Sequence, residues 1–249
     1  MADITGLPLF DRVVIVGLSQ ILVAALLALL TINLYLRFRK RRLAATKYLT
    51  LVSLFLALTA CMQIIVAIFI EQIFAIIGFG WGLAFGLSAI ANIFLYVFML
   101  EIFSEGRKSG GAWFTVFVVV EAAVAVLMPI LSPLGNAIPV FEPLLLMVLV
   151  THLVFAFALY ITLARVTTAS IRKTTDPLAR KGFSLIRLAS FAIIVAYCFF
   201  VFDRIWSDLF EPESYTVWVI VAWIMAGIGG LLLYSGFIMP SRIRGTTKS

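Results

Sequence analysis

Histidine occurs once in this 249-residue chain, cysteine twice, and charged residues make up only 12% of it. Each scarcity closes a class of chemistry. A bis-histidine haem needs a second imidazole, and a zinc site needs three or four ligands drawn from His, Cys and carboxylates. Cys61 and Cys198 sit deep in separate apolar stretches without C-x-x-C spacing, so neither a structural disulfide nor a catalytic dithiol is expected, and buried free thiols are the plainer reading. No metal and no cofactor is expected. There is no Ser/His/Gly arrangement of the rhomboid kind, no pair of intramembrane aspartates, no His-rich desaturase box and no Asp-rich prenyl-diphosphate motif. The chain is therefore read as a non-enzyme. The low charge also excludes an ordinary soluble domain, where about 25% of residues are charged.

What the chain has instead is apolar residues: 63% are hydrophobic, and the mean hydropathy is +1.15. A spanning helix needs about 20 such residues to cross about 30 Å of hydrocarbon. Seven stretches qualify: 13–36, 48–70, 73–103, 112–131, 144–164, 183–202 and 215–238. The expected fold is all-α, a polytopic seven-transmembrane helix bundle forming one domain over 1–249. The third stretch is long enough to require tilt or protrusion. Glu71-Gln72 is nearly the only break before it and implies a tight hairpin. Prolines 8, 133, 139, 143, 177, 212 and 240 are expected in loops or at span edges, with Pro129 in the last turn of span four. No connection exceeds about twenty residues, which leaves no room for a soluble catalytic or nucleic-acid-binding domain.

The net charge of +7 reports orientation rather than a nucleic-acid partner. Arg37, Arg39, Lys40, Arg41, Arg42 and Lys47 follow span one, and Arg107 and Lys108 follow span three. Arg165, Arg172, Lys173, Arg180, Lys181 and Arg187 surround the connection after span five, and Arg242, Arg244 and Lys248 follow span seven. This puts 17 of the 19 basic residues on one side, leaving Arg12 and Arg204 on the other. The expectation is an N-terminus outside and a C-terminus in the cytoplasm, in the plasma membrane. The acidic flank and length of span one argue against a cleaved signal peptide. The near-contiguous run Arg37, Arg39, Lys40, Arg41, Arg42 is read as topogenic and as attracted to anionic lipid headgroups.

An ionisable side chain at mid-span costs about 2.5–3.5 kcal/mol on insertion scales and needs a reason. Glu121, near the middle of span four, and His152, near the middle of span five, lie at similar depth on spans joined by a short connection. A Glu121–His152 hydrogen bond follows. Two readings are open: a proton relay or polar-ligand contact, or a buried pair that fixes helix register. Span three carries Trp81, Ser88, Asn92 and Tyr96 along one face. With Tyr197, Trp223 and Tyr234 these are candidates for an internal ligand pocket, or for ordinary interhelical contacts. Gly78, Gly82 and Gly86, and likewise Ala226 and Gly230, repeat at every fourth position and make flat stripes for close helix packing, with a homodimer face as the other reading.

Seven helices with short connections resemble the microbial-rhodopsin and receptor-like topology, but span seven has no lysine for a Schiff base, so no retinal is expected. The ending Leu233-Tyr234-Ser235-Gly236-Phe237-Ile238-Met239-Pro240, with the stretch Leu178-Ala179-Arg180-Lys181-Gly182-Phe183, resembles the retinal-free seven-helix sensor domains that precede some prokaryotic histidine kinases. That resemblance implies a sensor or receptor binding a small apolar or lipid-like molecule and signalling through a cytoplasmic partner. The other expectations are an accessory or structural subunit of a larger membrane complex, and a proton-coupled transporter or channel using Glu121 and His152. Expected partners are membrane lipids, another membrane or cytoplasmic protein or a second copy, and no nucleic acid.

Overall fold

Hydrocarbon offers backbone N–H and C=O groups no partner, so a chain this apolar satisfies them within helices. The structure, a computed structural model, describes residues 9–69, 74–103, 111–210 and 216–246. They form α1 (Leu9–Arg41), α2 (Ala44–Phe69), α3 (Phe74–Phe103), α4 (Gly111–Ala137), α5 (Glu142–Lys173), α6 (Pro177–Phe210) and α7 (Val217–Thr246), with a 3-10 turn at Pro139–Phe141 before α5. Each of the seven α-helices is long and apolar enough to cross a membrane. The chain is an all-α protein with the makings of a multi-pass membrane protein. Its outward side chains fit that setting: Leu22, at 70% exposure, is an aliphatic side chain facing away from the protein.

The helices outrun the apolar stretches that announce them. α5 continues from Ala164 to Lys173 and α6 begins at Pro177, leaving three residues between them, because hydropathy marks only the part of a helix that hydrocarbon covers. Asp176 starts α6 by accepting the Leu178 N–H at 2.9 Å, with Pro177 in the first helical position where its missing N–H costs nothing. Arg37 to Arg41 are helical too and not a loop. They form the end of α1, and Arg42 closes it in the left-handed region at φ 50°, its N–H bonded to the Phe38 carbonyl at 2.7 Å. Proline placement needs two corrections. Pro129 and Pro133 are both inside α4, which runs on to Ala137, and α7 passes through Pro240. Within the apolar span of α4 a helix is kept up by its neighbours and by the lack of any better hydrogen-bonding state, so proline does not end it. The Glu71-Gln72 hairpin, Pro8 and Pro212 lie outside the described residues.

By its internal contacts the chain divides into two compact units, with the boundary inside α5: Val13–Ala156, and Phe157–Ser249 with Met1–Arg12. In the first unit, Thr31 on α1 and Ser53 on α2 share a hydrogen bond at 2.9 Å, and Ser53 also donates to the Leu27 carbonyl. α3 then packs against α4 through glycine. A Cβ on Gly86 would stand 2.8 Å from the Ala125 carbonyl oxygen, and one on Gly82 would collide with the Met128 carbonyl and lie 2.8 Å from Pro129 Cα. The Ala125 carbonyl is the one that Pro129, lacking an N–H, leaves unbonded four residues back. The proline and the glycine stripe are therefore two halves of one contact, in which a freed carbonyl faces a backbone without a side chain. Beside it Ala89, Val124, Met128, Leu131 and Val148 form a buried cluster from α3, α4 and α5.

In the second unit α7 packs on α6 through Gly229, where a Cβ would fall 2.5 Å from Ile193 Cγ1, and Gly236, where it would fall 2.6 Å from the Gly182 carbonyl oxygen. Ala226 and Gly230 are only half-buried. The start of α7 is tied back to α6. Asp203 accepts a short hydrogen bond from the Thr216 hydroxyl and another from the Thr216 N–H at 3.3 Å. Thr216 Oγ1 in turn accepts the Trp218 N–H at 3.2 Å as an N-cap. Cys61 and Cys198 are exposed on the outer surfaces of their helices, not buried as expected. A free thiol is equally at ease against acyl chains and against a protein core, so hydropathy cannot tell the two apart.

Candidate functional site

Three helices of the first unit each contribute one polar side chain to a single buried point. Glu121 comes from α4 and His152 from α5, both at 0% exposure. His152 Nδ1 lies 2.9 Å from Glu121 Oε2. The other ring nitrogen, Nε2, lies 3.0 Å from Ser88 Oγ on α3. Ser88, assigned by the sequence to a pocket-lining stripe, therefore belongs to the same chain as the pair. The surroundings are apolar. Phe85 presents an edge-to-face ring to the imidazole at 6.1 Å, and the Ala89–Val124–Val148 cluster lies alongside.

Proton accounting defines what this chain can do. Ser88 has one hydroxyl proton and two acceptors within reach, the Phe85 carbonyl at 2.8 Å and His152 Nε2. When the hydroxyl donates to Phe85, Nε2–H donates to Ser88, and a second proton sits between Nδ1 and Glu121 Oε2. When the hydroxyl turns to Nε2, Nδ1–H donates to the carboxylate, and the chain holds one proton fewer. Each arrangement keeps the Ser88–His152 and His152–Glu121 links, and the second gives up the bond from Ser88 to the Phe85 carbonyl. The Ser88 hydroxyl thus has one possible acceptor on the backbone of α3 and one on the side chain of α5. One atom stands outside this accounting: Glu121 Oε1 is buried and has no hydrogen-bond partner among the described residues.

The remaining candidates divide between the two units. On α3, Trp81 stacks on Phe85 at 5.9 Å, Asn92 is 1% exposed, and Tyr96 stacks on Phe114 and Phe117 of α4 at 5.4 and 4.9 Å. On the second unit, Tyr197 meets Phe157 and Tyr160 of α5, each at 6.1 Å. Trp223 meets Phe200 edge-on at 5.5 Å, and Tyr234 is half-buried on α7. Gly78 is buried on α3. Among the described residues no cluster of three or more His, Cys, Asp or Glu could hold a metal ion. Sequence reasoning missed the Asp203–Thr216 tie and the link from Ser88 to His152. The first carries no periodic signal, and the second depends on how far α3 is rotated about its axis. Compared with known proteins, the chain matches no family model, no curated protein and no solved structure.

Proposed function

We propose that this chain is a non-enzymatic, multi-pass sensor in the plasma membrane that takes up a small apolar or lipid-like molecule bearing one polar group. One observation carries the reading: a buried Ser88–His152–Glu121 chain that ends in an unpartnered carboxylate oxygen. Leaving a buried acceptor unmade costs about 1–3 kcal/mol, and a purely structural pair would gain from a partner there. A hydroxyl or amine on an otherwise apolar ligand supplies that partner. Its arrival changes the charge balance at Glu121, and the two proton arrangements carry the change to Ser88 and the α3 backbone. The weighting of basic residues favours an N-terminus outside and a C-terminus in the cytoplasm, where a partner protein receives the signal.

The test is infrared difference spectroscopy on the purified protein in lipid nanodiscs, with farnesol and a long-chain fatty alcohol as probes. The sensor reading expects a probe-induced shift of a carboxyl C=O band that disappears in Glu121→Gln, with weaker binding in His152→Asn. A probe series that moves no carboxyl band, while the variants change only thermal stability, overturns it in favour of a structural subunit. Proton flux into dye-loaded proteoliposomes that depends on Glu121 overturns it in favour of proton-coupled transport, to which the one-proton difference between the arrangements also lends itself.

A further inference from the structure

The hairpin of α5 and α6 holds a feature unconnected with Glu121 and His152. An open groove of about 340 Å³ runs along it, lined by Ile161, Arg165, Thr168 and Arg172 with two alanines on α5, and by Phe191 on α6. The α5 residues recur at helical spacing, so they form one strip about 16 Å long at about 1.5 Å per residue. The strip is graded. Arg172 lies in the last turn of α5, Arg165 two turns deeper, and Ile161 with Phe191 form the apolar far end, all four side chains being exposed. No carboxylate lines the groove, and among the described residues neither arginine has an ion-pair partner. The Thr168 hydroxyl is committed to the Ala164 carbonyl at 2.7 Å, so the donors presented to a ligand are the two guanidinium groups.

We infer that this groove is a binding site for an anionic phospholipid, its phosphate held between Arg165 and Arg172 and the start of an acyl chain laid along Ile161 and Phe191. The charge selects the headgroup, because guanidinium forks match phosphate oxygens and a second cation without a counter-charge repels its neighbour until an anion arrives. The apolar end selects a lipid over a free phosphate. An arginine that only marks topology needs neither a groove nor an aromatic wall at its deep end.

Competition in nanodiscs tests this: the intact protein is exposed to mixtures of phosphatidylglycerol and phosphatidylcholine, and retained lipid is read by native mass spectrometry. The expected result is a preference for phosphatidylglycerol that falls about fivefold for each of Arg165→Gln and Arg172→Gln, following the usual worth of a basic residue near an anionic lipid surface. The lysine pair Arg165→Lys with Arg172→Lys keeps most of it and guards against a folding defect. Phe191→Ala weakens retention of both lipids. The control is Lys181→Gln, an equal change in net charge at an exposed α6 residue outside the groove. If that control lowers the preference as much, bulk electrostatics explains the binding and the site is overturned. Displacement of the lipid by millimolar inorganic phosphate overturns it as well, since the groove would then read phosphate without a chain.

Discussion

At the scale of single residues, the Glu121–His152 pair is held by what surrounds it more than by its own attraction. Both side chains are fully buried, so removing one partner leaves the polar atom that faced it without a bond. His152→Leu and Glu121→Leu are each expected to cost about 1–3 kcal/mol. The double replacement is expected to cost clearly less than their sum, because it removes both the pair and its orphan. Unfolding of the three variants in a denaturing detergent closes this cycle, and strict additivity would show that the residues do not interact. Ser88→Ala is expected to cost less than either, since its hydroxyl is only one member of a chain that His152 and Glu121 complete. The nearness of Glu121 and His152 was legible from matching depth on consecutive spans. The part played by Ser88 was not, because depth can be counted along a helix but rotation about its axis cannot.

Elements meet here through missing side chains. Gly86 faces the Ala125 carbonyl that Pro129 leaves free, so Gly86→Val is expected to force α3 and α4 apart at a cost of about 1–3 kcal/mol. Pro129→Ala, which gives that carbonyl its helical partner back, is expected to leave the fold intact. Thermal unfolding of both variants checks the pairing. The stripe of glycines was visible in the sequence as a period of four, yet which helix it faces was not. The same holds on α7, where Gly229 and Gly236 make the close approach to α6 although Ala226 and Gly230 have the tidier spacing. Helix ends tell a similar story. Arg42 occupies a left-handed conformation that costs a residue with a Cβ about 1–2 kcal/mol, so Arg42→Gly should hold or raise stability while Arg42→Val lowers it. Thr216→Ala, which removes the α7 cap and the hydroxyl bond to Asp203 but leaves the backbone N–H bond to it, should cost about 1 kcal/mol.

For the molecule as a whole, the membrane placement makes a prediction about its two thiols. Cys61 and Cys198 are exposed on their helices, and both belong to helices long and apolar enough to cross a membrane. In intact vesicles neither is expected to react with a membrane-impermeant maleimide, and both are expected to react once detergent unfolds the chain. Ready labelling of either in the vesicle would mean that its helix is not in hydrocarbon. The sequence by itself determined the class of the protein: seven apolar stretches can be read because crossing hydrocarbon imposes a length and a composition that each stretch meets alone. It also determined which polar residues need explaining, since a buried charge is conspicuous in an apolar run. Only the tertiary structure decided who meets whom. Contacts between helices depend on rotation and approach, which many sequence patterns fit equally well and packing alone resolves. The joining of Ser88 to His152, the carbonyl of Ala125 against Gly86, and the arginine groove on α5 all belong to that second kind.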